Sequence, residues 1–234
     1  MTSLPETFAQ SVERVGINLA RVRSAIERAG ADPGAVQIVA VTKGQPGQIV
    51  RAALANDLSD FGENYADELL GKAEALSAGA EQDTDAHHVR WHFQGRMQTN
   101  KINRLVPHVW LWQSIDSASH ARALAARSPG SRVLVQVDET GSPGRGGVAP
   151  ADASELVGQA RDLGLEVSGL MCVAGRADGA GRTPAATFAA VADLAGRLGL
   201  PVRSMGMSDD FEEAVRAGST MVRIGSALFG PRTG

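Results

Sequence analysis

The chain has 234 residues, 43% of them apolar, with a formal net charge of −3 and a pI near 6.0. That length and apolar content support a sizeable core and exclude a disordered chain, and the charge offers no general attraction to nucleic acid or an anionic membrane. Cys172 is the only cysteine, which excludes an intrachain disulfide and a thiolate metal cluster. From the N-terminus, Glu6 to Ala29 carries apolar residues at helical spacing (Phe8, Val12, Val15, Ile17, Leu19, Val22, Ile26) and stops at GADPG. Eight β-rich runs follow: QIVAVTK (37–43), LSDFGEN (58–64), WHFQG (91–95), VWLWQSID (109–116), RVLVQVD (132–138), EVSGLMCV (166–173), PVRSMGMS (201–208) and MVRIGSALFG (221–230). Alanine-rich segments such as SASHARALAARS, ASELVGQARDLG and AATFAAVADLAGRLG lie between them with helical composition and period. Residues 77–88, 138–147 and 175–184 read as loops.

Strands alternating with helices predict a parallel sheet, because parallel neighbours need crossovers of this length. Eight such units predict an α/β fold of one (β/α)8 TIM barrel with an extra N-terminal helix; an open doubly wound sheet is the second choice. A single domain over 1–234 is expected. The start, MTSLPETFAQ, lacks the basic segment and apolar run of a signal peptide, and no stretch has the length of a bilayer span, so the expected location is cytoplasmic.

Barrel chemistry gathers at the carboxyl ends of the strands. Those ends carry Lys43, then Glu63 and Asn64, His92 to Gly95, Asp116, Asp138, Met171 to Val173, Ser204 to Ser208, and Gly225 with Ser226. Small and hydroxyl residues after strands seven and eight suit a phosphate, while Ser208, Asp209 and Asp210 read as the cap and acidic first turn of a helix. A lysine beside a phosphate cradle points to a phosphorylated aldehyde, since lysine amines condense with carbonyls. Pyridoxal 5′-phosphate is one such molecule, and a sugar phosphate bound by an aldolase is another.

The segments VAVTKGQP, FGENYADELLGKAEAL, WHFQGRMQTNKI and SMGMSDDFEEAVRAGSTMVRIGSALFG closely resemble the pyridoxal phosphate homeostasis proteins. These look like the amino-terminal barrel of bacterial alanine racemases without its second domain. The resemblance implies pyridoxal 5′-phosphate as cofactor, carried on Lys43 as a Schiff base, with Asn64 beside it. It implies Ser204, Gly225 and Ser226 at the phosphate, Arg223 at the pyridine nitrogen, and Met205, Gly206 and Met207 in the same loop. Three positions depart from the family pattern: Gln45 replaces a common second lysine, Ser226 a common threonine, and Arg145 part of a serine-and-lysine segment.

An arginine only donates hydrogen bonds, so a ring nitrogen facing Arg223 stays unprotonated and the ring is a poor electron sink. The one tyrosine, Tyr65, reads as packing under a helix turn and not as a second base. The expected role is therefore buffering or delivery of the cofactor without strong turnover. Its expected partners are the cofactor and cofactor-dependent apo-enzymes as recipients, with no nucleic acid or membrane, the chain acting as a monomer. The alternative is a racemase, a decarboxylase or an aldolase using Glu63 as its acid/base. His92 reads equally as barrel-facing or core, His87 and His88 as solvated, Trp110 and Trp112 as core or barrel wall, and Lys101 as a solvated helix lysine.

Overall fold

The computed structural model describes residues 6–78, 89–139, 146–175 and 183–231. His87, His88 and Arg145, with most of the predicted loops at 77–88, 138–147 and 175–184, lie outside the described residues. Helix α1 (Phe8–Arg28) opens on a capping box in which Thr7 and Gln10 satisfy each other's backbone N–H groups. Its buried stripe is Ser11, Val15, Leu19, Val22, Ala25 and Ile26. Phe8 and Ile17, expected on that face, are exposed, because Ile17 stands two residues from Val15 and so turns to the opposite side.

The strands are β1 (Gln37–Val41), β2 (Asp60–Glu63), β3 (Arg90–Phe93), β4 (Val109–Ile115), β5 (Arg132–Val137), β6 (Glu166–Cys172), β7 (Val202–Met207) and β8 (Met221–Ile224). They pair in parallel and in sequence order, and β1 also pairs with β8, which closes the barrel. The connecting helices are α2 (Gln48–Leu54), α3 (Ala66–Ser77), α4 (Ile102–Leu105), α5 (Ala118–Ala125), α6 (Ala153–Asp162), α7 (Pro184–Arg197) and α8 (Phe211–Arg216), with α9 (Ser226–Phe229) after β8. No helix among the described residues is long and apolar enough to cross a membrane.

The eighth run is shorter than expected. Its strand ends at Ile224, and SALF forms α9, whose Leu228 and Phe229 are both buried. Its hydrogen bonds are those of a helical turn: the N–H groups of Leu228 and Phe229 both donate to the Gly225 carbonyl, at 3.0 and 2.9 Å. The turn packs on α1, where Asn18 donates to the Leu228 carbonyl at 2.9 Å and Arg14 donates to the Phe229 carbonyl.

Period-two alternation sorts the side chains into two cores. The larger lies between strands and helices and holds Phe61, Phe93, Trp112, Val135, Leu170 and Phe188. The smaller, inside the barrel, holds Val39, Leu111, Leu134, Met171 and Met221. Trp112 is thus core, whereas Trp110 is half-buried with the Arg90 and Arg132 guanidinium carbons each 5.2 Å from its ring centre. On β7 the alternation breaks. Ser204 pairs with Met221 and Met207 with Arg223, so three steps on β7 match two on β8. The extra residue is accommodated where Gly206 takes φ +90°, a conformation open to glycine.

Candidate functional site

A cavity of about 300 Å3 opens at the carboxyl ends of the strands. Lys43, Asn64, Arg223, Gly225 and Ser226, all predicted for the site, line it together. Gln45, Gln94, Met171, Met207, Ser208 and Asp209 complete most of the wall.

Lys43 sits two residues past β1, in a turn. Gly44, at φ +68°, lets the chain reverse, and its N–H donates to Glu68 Oε2 at 2.8 Å. Gln45 N–H donates to the Thr42 carbonyl at 3.0 Å. Behind the turn, Lys72 of α3 donates to the Thr42 carbonyl at 2.6 Å and pairs with Glu63 at 2.5 Å, while the Thr42 hydroxyl donates to the same Glu63 oxygen at 2.7 Å. Burial pushes the Glu63 carboxyl up, against the pull of Lys72. Glu63 is therefore a strut outside the barrel; it is not among the cavity-lining residues, which removes it as the acid/base of an aldolase.

The chain has three lysines. Lys72 is locked among Thr42, Glu63 and Glu68, and Lys101, at the start of α4, pairs at the surface with the exposed Asp67 at 2.6 Å. Lys43 alone of the three lines the cavity. Tyr65 differs from expectation. It is the N-cap of α3 in extended conformation and is 62% exposed, so it packs under nothing.

Arg223, by contrast, is only 4% exposed. Its Nη1 donates to the Ser204 carbonyl at 2.7 Å and to Ser204 Oγ at 2.9 Å, and its Nη2 donates to the Cys172 carbonyl at 2.8 Å. None of these acceptors is a carboxylate. Burial accordingly works against the guanidinium charge, and it pushes the Cys172 thiol up to about 12.

Ser204, which the resemblance implies at the phosphate, and Met205 and Gly206, which it implies in the same loop, do not line the cavity. The β7 bulge is the reason. Ser204 points into the barrel beneath Arg223, Met205 into the outer core, and Gly206 against α8, where a Cβ would lie 2.6 Å from Ala214 Cβ. The bulge instead brings Met207 and Ser208 to the mouth. Ser208 Oγ accepts from the N–H groups of Gly225 (3.2 Å) and Ala227 (3.1 Å), tying the two strand ends together. Asp210 Oδ1 accepts from Met207 N–H at 2.6 Å; Asp210, not Ser208, is the N-cap residue of α8, whose acidic first turn is Glu212 and Glu213 in place of Asp209 and Asp210.

Gln94 was visible in the sequence only as part of a strand end. It lies over Gly62, where any Cβ would overlap its amide nitrogen, and that buried nitrogen has no protein partner. Gly95 allows an equally close approach, since a side chain there would strike the Asn64 carbonyl. The cavity thus presents an amine, a buried guanidinium and an unspent amide N–H, an arrangement suited to a ligand rich in acceptors.

The chain matches the family described as alanine racemase, N-terminal domain, over residues 13–233. It is 38% identical to the pyridoxal phosphate homeostasis protein of Pseudomonas aeruginosa, over 97% of this chain and 96% of that one. Among solved structures it resembles PipY of Synechococcus elongatus with PLP bound, at 31% identity and a TM-score of 0.77, over 92% of this chain and 100% of that one. Alanine racemase from Corynebacterium glutamicum shares the fold, with a TM-score of 0.65 at 20% identity, over 94% of this chain but 61% of that one. The chain belongs to the alanine racemase N-terminal domain family, among its pyridoxal phosphate homeostasis proteins.

Proposed function

We propose that this protein binds pyridoxal 5′-phosphate on Lys43 and serves intracellular homeostasis of that cofactor, buffering it or delivering it to apo-enzymes. The observation that carries the reading is the meeting of Lys43, Asn64, Arg223, Gly225 and Ser226 in one cavity of about 300 Å3. When bound, the cofactor supplies an aldehyde that condenses with an amine, releasing water, and a pyridine ring that accepts electron density. Lys43 is the amine in reach. Arg223 has its Nε–H and one Nη2 hydrogen left after its three protein contacts, and these serve the ring nitrogen as donors. Ser226 and the Gly225 backbone serve the phosphate, joined by the loop at Met207 and Ser208. Gln94 offers its amide N–H to an oxygen of the same ligand.

Because arginine keeps its own proton, the ring nitrogen remains an acceptor, and carbanion chemistry is disfavoured. Turned to solvent, Tyr65 supplies no second base inside the cavity. Both features favour a carrier over a racemase. In this reading the 234 residues act as one cofactor-binding unit, a monomer in the cytoplasm.

The purified protein is expected to retain the cofactor and show a visible absorption band, and Lys43→Ala to lose both the band and tight retention. A Lys43→Ala protein that keeps the band would refute the assignment.

A further inference from the structure

The barrel interior should be an apolar filling, yet a continuous series of polar side chains runs through it. Arg90 donates to both Asp60 oxygens, at 2.8 and 2.6 Å. Asp60 Oδ1 lies 2.9 Å from His92 Nε2, and His92 Nδ1 lies 2.7 Å from Gln113 Nε2. The Ser204 hydroxyl donates to Gln113 Oε1 at 2.7 Å, and Arg223 donates to that hydroxyl oxygen at 2.9 Å. His92, Gln113 and Ser204 are fully or almost fully buried, beside Leu111, Leu134 and Met221.

The series has one direction. Arg223 can only donate, so Ser204 Oγ accepts from it and gives its own hydrogen to Gln113 Oε1. That turns the Gln113 amide nitrogen to His92, which must accept at Nδ1 and carry its proton at Nε2, toward Asp60. Met221 Sδ, 3.3 Å from the same amide nitrogen, is a second weak acceptor consistent with this orientation. His92, Gln113 and Ser204 are each satisfied in this arrangement. Reversing Gln113 would leave the Ser204 hydroxyl hydrogen without the acceptor it now has.

We propose that His92, Gln113 and Ser204 are positioning residues that fix the Arg223 guanidinium, and so fix the hydrogen bond it gives to a ligand's heteroaromatic ring nitrogen. This rests on the reading of Arg223 as the ring partner of pyridoxal 5′-phosphate. The geometry favours it over a purely structural role in one respect. The series ends on the side chain that lines the cavity, holding Nη1 by both of its hydrogens and leaving Nε–H and one Nη2 hydrogen unused by it.

The test is 15N NMR of the protein loaded with pyridoxal 5′-phosphate labelled at the ring nitrogen. The unaltered protein is expected to show an unprotonated, hydrogen-bonded nitrogen. Ser204→Ala and Gln113→Leu are expected to move that resonance and to weaken cofactor retention roughly tenfold. Both are compared as folded proteins by circular dichroism; Ser204→Ala, which removes a single oxygen, decides the matter if Gln113→Leu does not fold. An unprotonated nitrogen whose resonance stays put in a folded Ser204→Ala protein would overturn the positioning role and leave the cofactor reading standing. A pyridinium value in the unaltered protein would remove the Arg223 reading and this proposal with it.

Discussion

The two cationic groups of the site are held in opposite ways. Lys43 stands on a turn whose backbone is gripped from outside the barrel by charged groups, with Lys72 and Glu68 binding Thr42 and Gly44. Its side chain is half-buried and lines the cavity at the mouth. Arg223 rises from a strand, and its side chain is gripped from inside the barrel by neutral acceptors. The contrast matches two tasks. In the proposed reading, the lysine that carries the cofactor needs a fixed root, whereas the arginine that sets the character of the ring nitrogen needs a fixed end.

The largest effect expected from attacking this contrast is on the Lys43 side. Lys72→Met strands Glu63 in the outer core without its charge partner, which should lower stability by about 3–5 kcal/mol in denaturant unfolding. Adding Glu63→Gln should recover much of that loss, because the buried charge is then gone. A single Lys72→Met protein as stable as the parent would show that the turn does not depend on this cluster.

A smaller loss is expected on the Arg223 side from Gly206→Ala. The new methyl meets Ala214 Cβ at 2.6 Å and Phe211 Cα at 2.8 Å at a backbone angle of +90°. The cost should be about 1–3 kcal/mol, with weaker cofactor retention as the Met207–Ser208 loop shifts. Stability and retention both unchanged would mean that the bulge does not place the mouth.

The smallest effect is a pH dependence at the root of the interior series. Burial raises the Asp60 carboxyl, but hydrogen bonds from His92 and Arg90 outweigh it and hold the group below its ordinary value of 3.8. A lowered folded value stabilises above the unfolded one, and that stability is lost as pH falls through the folded value. Unfolding midpoints measured downward from about pH 5 should therefore fall less steeply in Asp60→Asn than in the parent. Identical slopes would contradict the assignment.

Much of this was legible in the sequence, and the exceptions have physical causes. Eight strands and their order follow from apolar runs separated by helical segments, and the strand-end rule put Lys43, Asn64, Gly225 and Ser226 into one cavity. Ser204, Met205 and Gly206 follow from the resemblance and from their strand-end position, and they stand off the cavity wall because the bulge at Gly206 inserts one residue, which no motif announces. SALF reads as strand in the sequence because a short apolar run looks alike in a buried strand and a buried helical turn. Tyr65 and Ile17 look like core residues by type, but their positions on α3 and α1 turn them to solvent. The interior series could not be read at all, since Asp60, His92, Gln113 and Ser204 come from four strands and meet only when the barrel closes.

The central claim is that Lys43 holds the cofactor, and three lysines in the chain make it directly testable. Borohydride reduction of the loaded protein, followed by peptide mass mapping, should place the pyridoxyl label on Lys43. A label on Lys72 or Lys101, with Lys43 unmodified, would contradict the account.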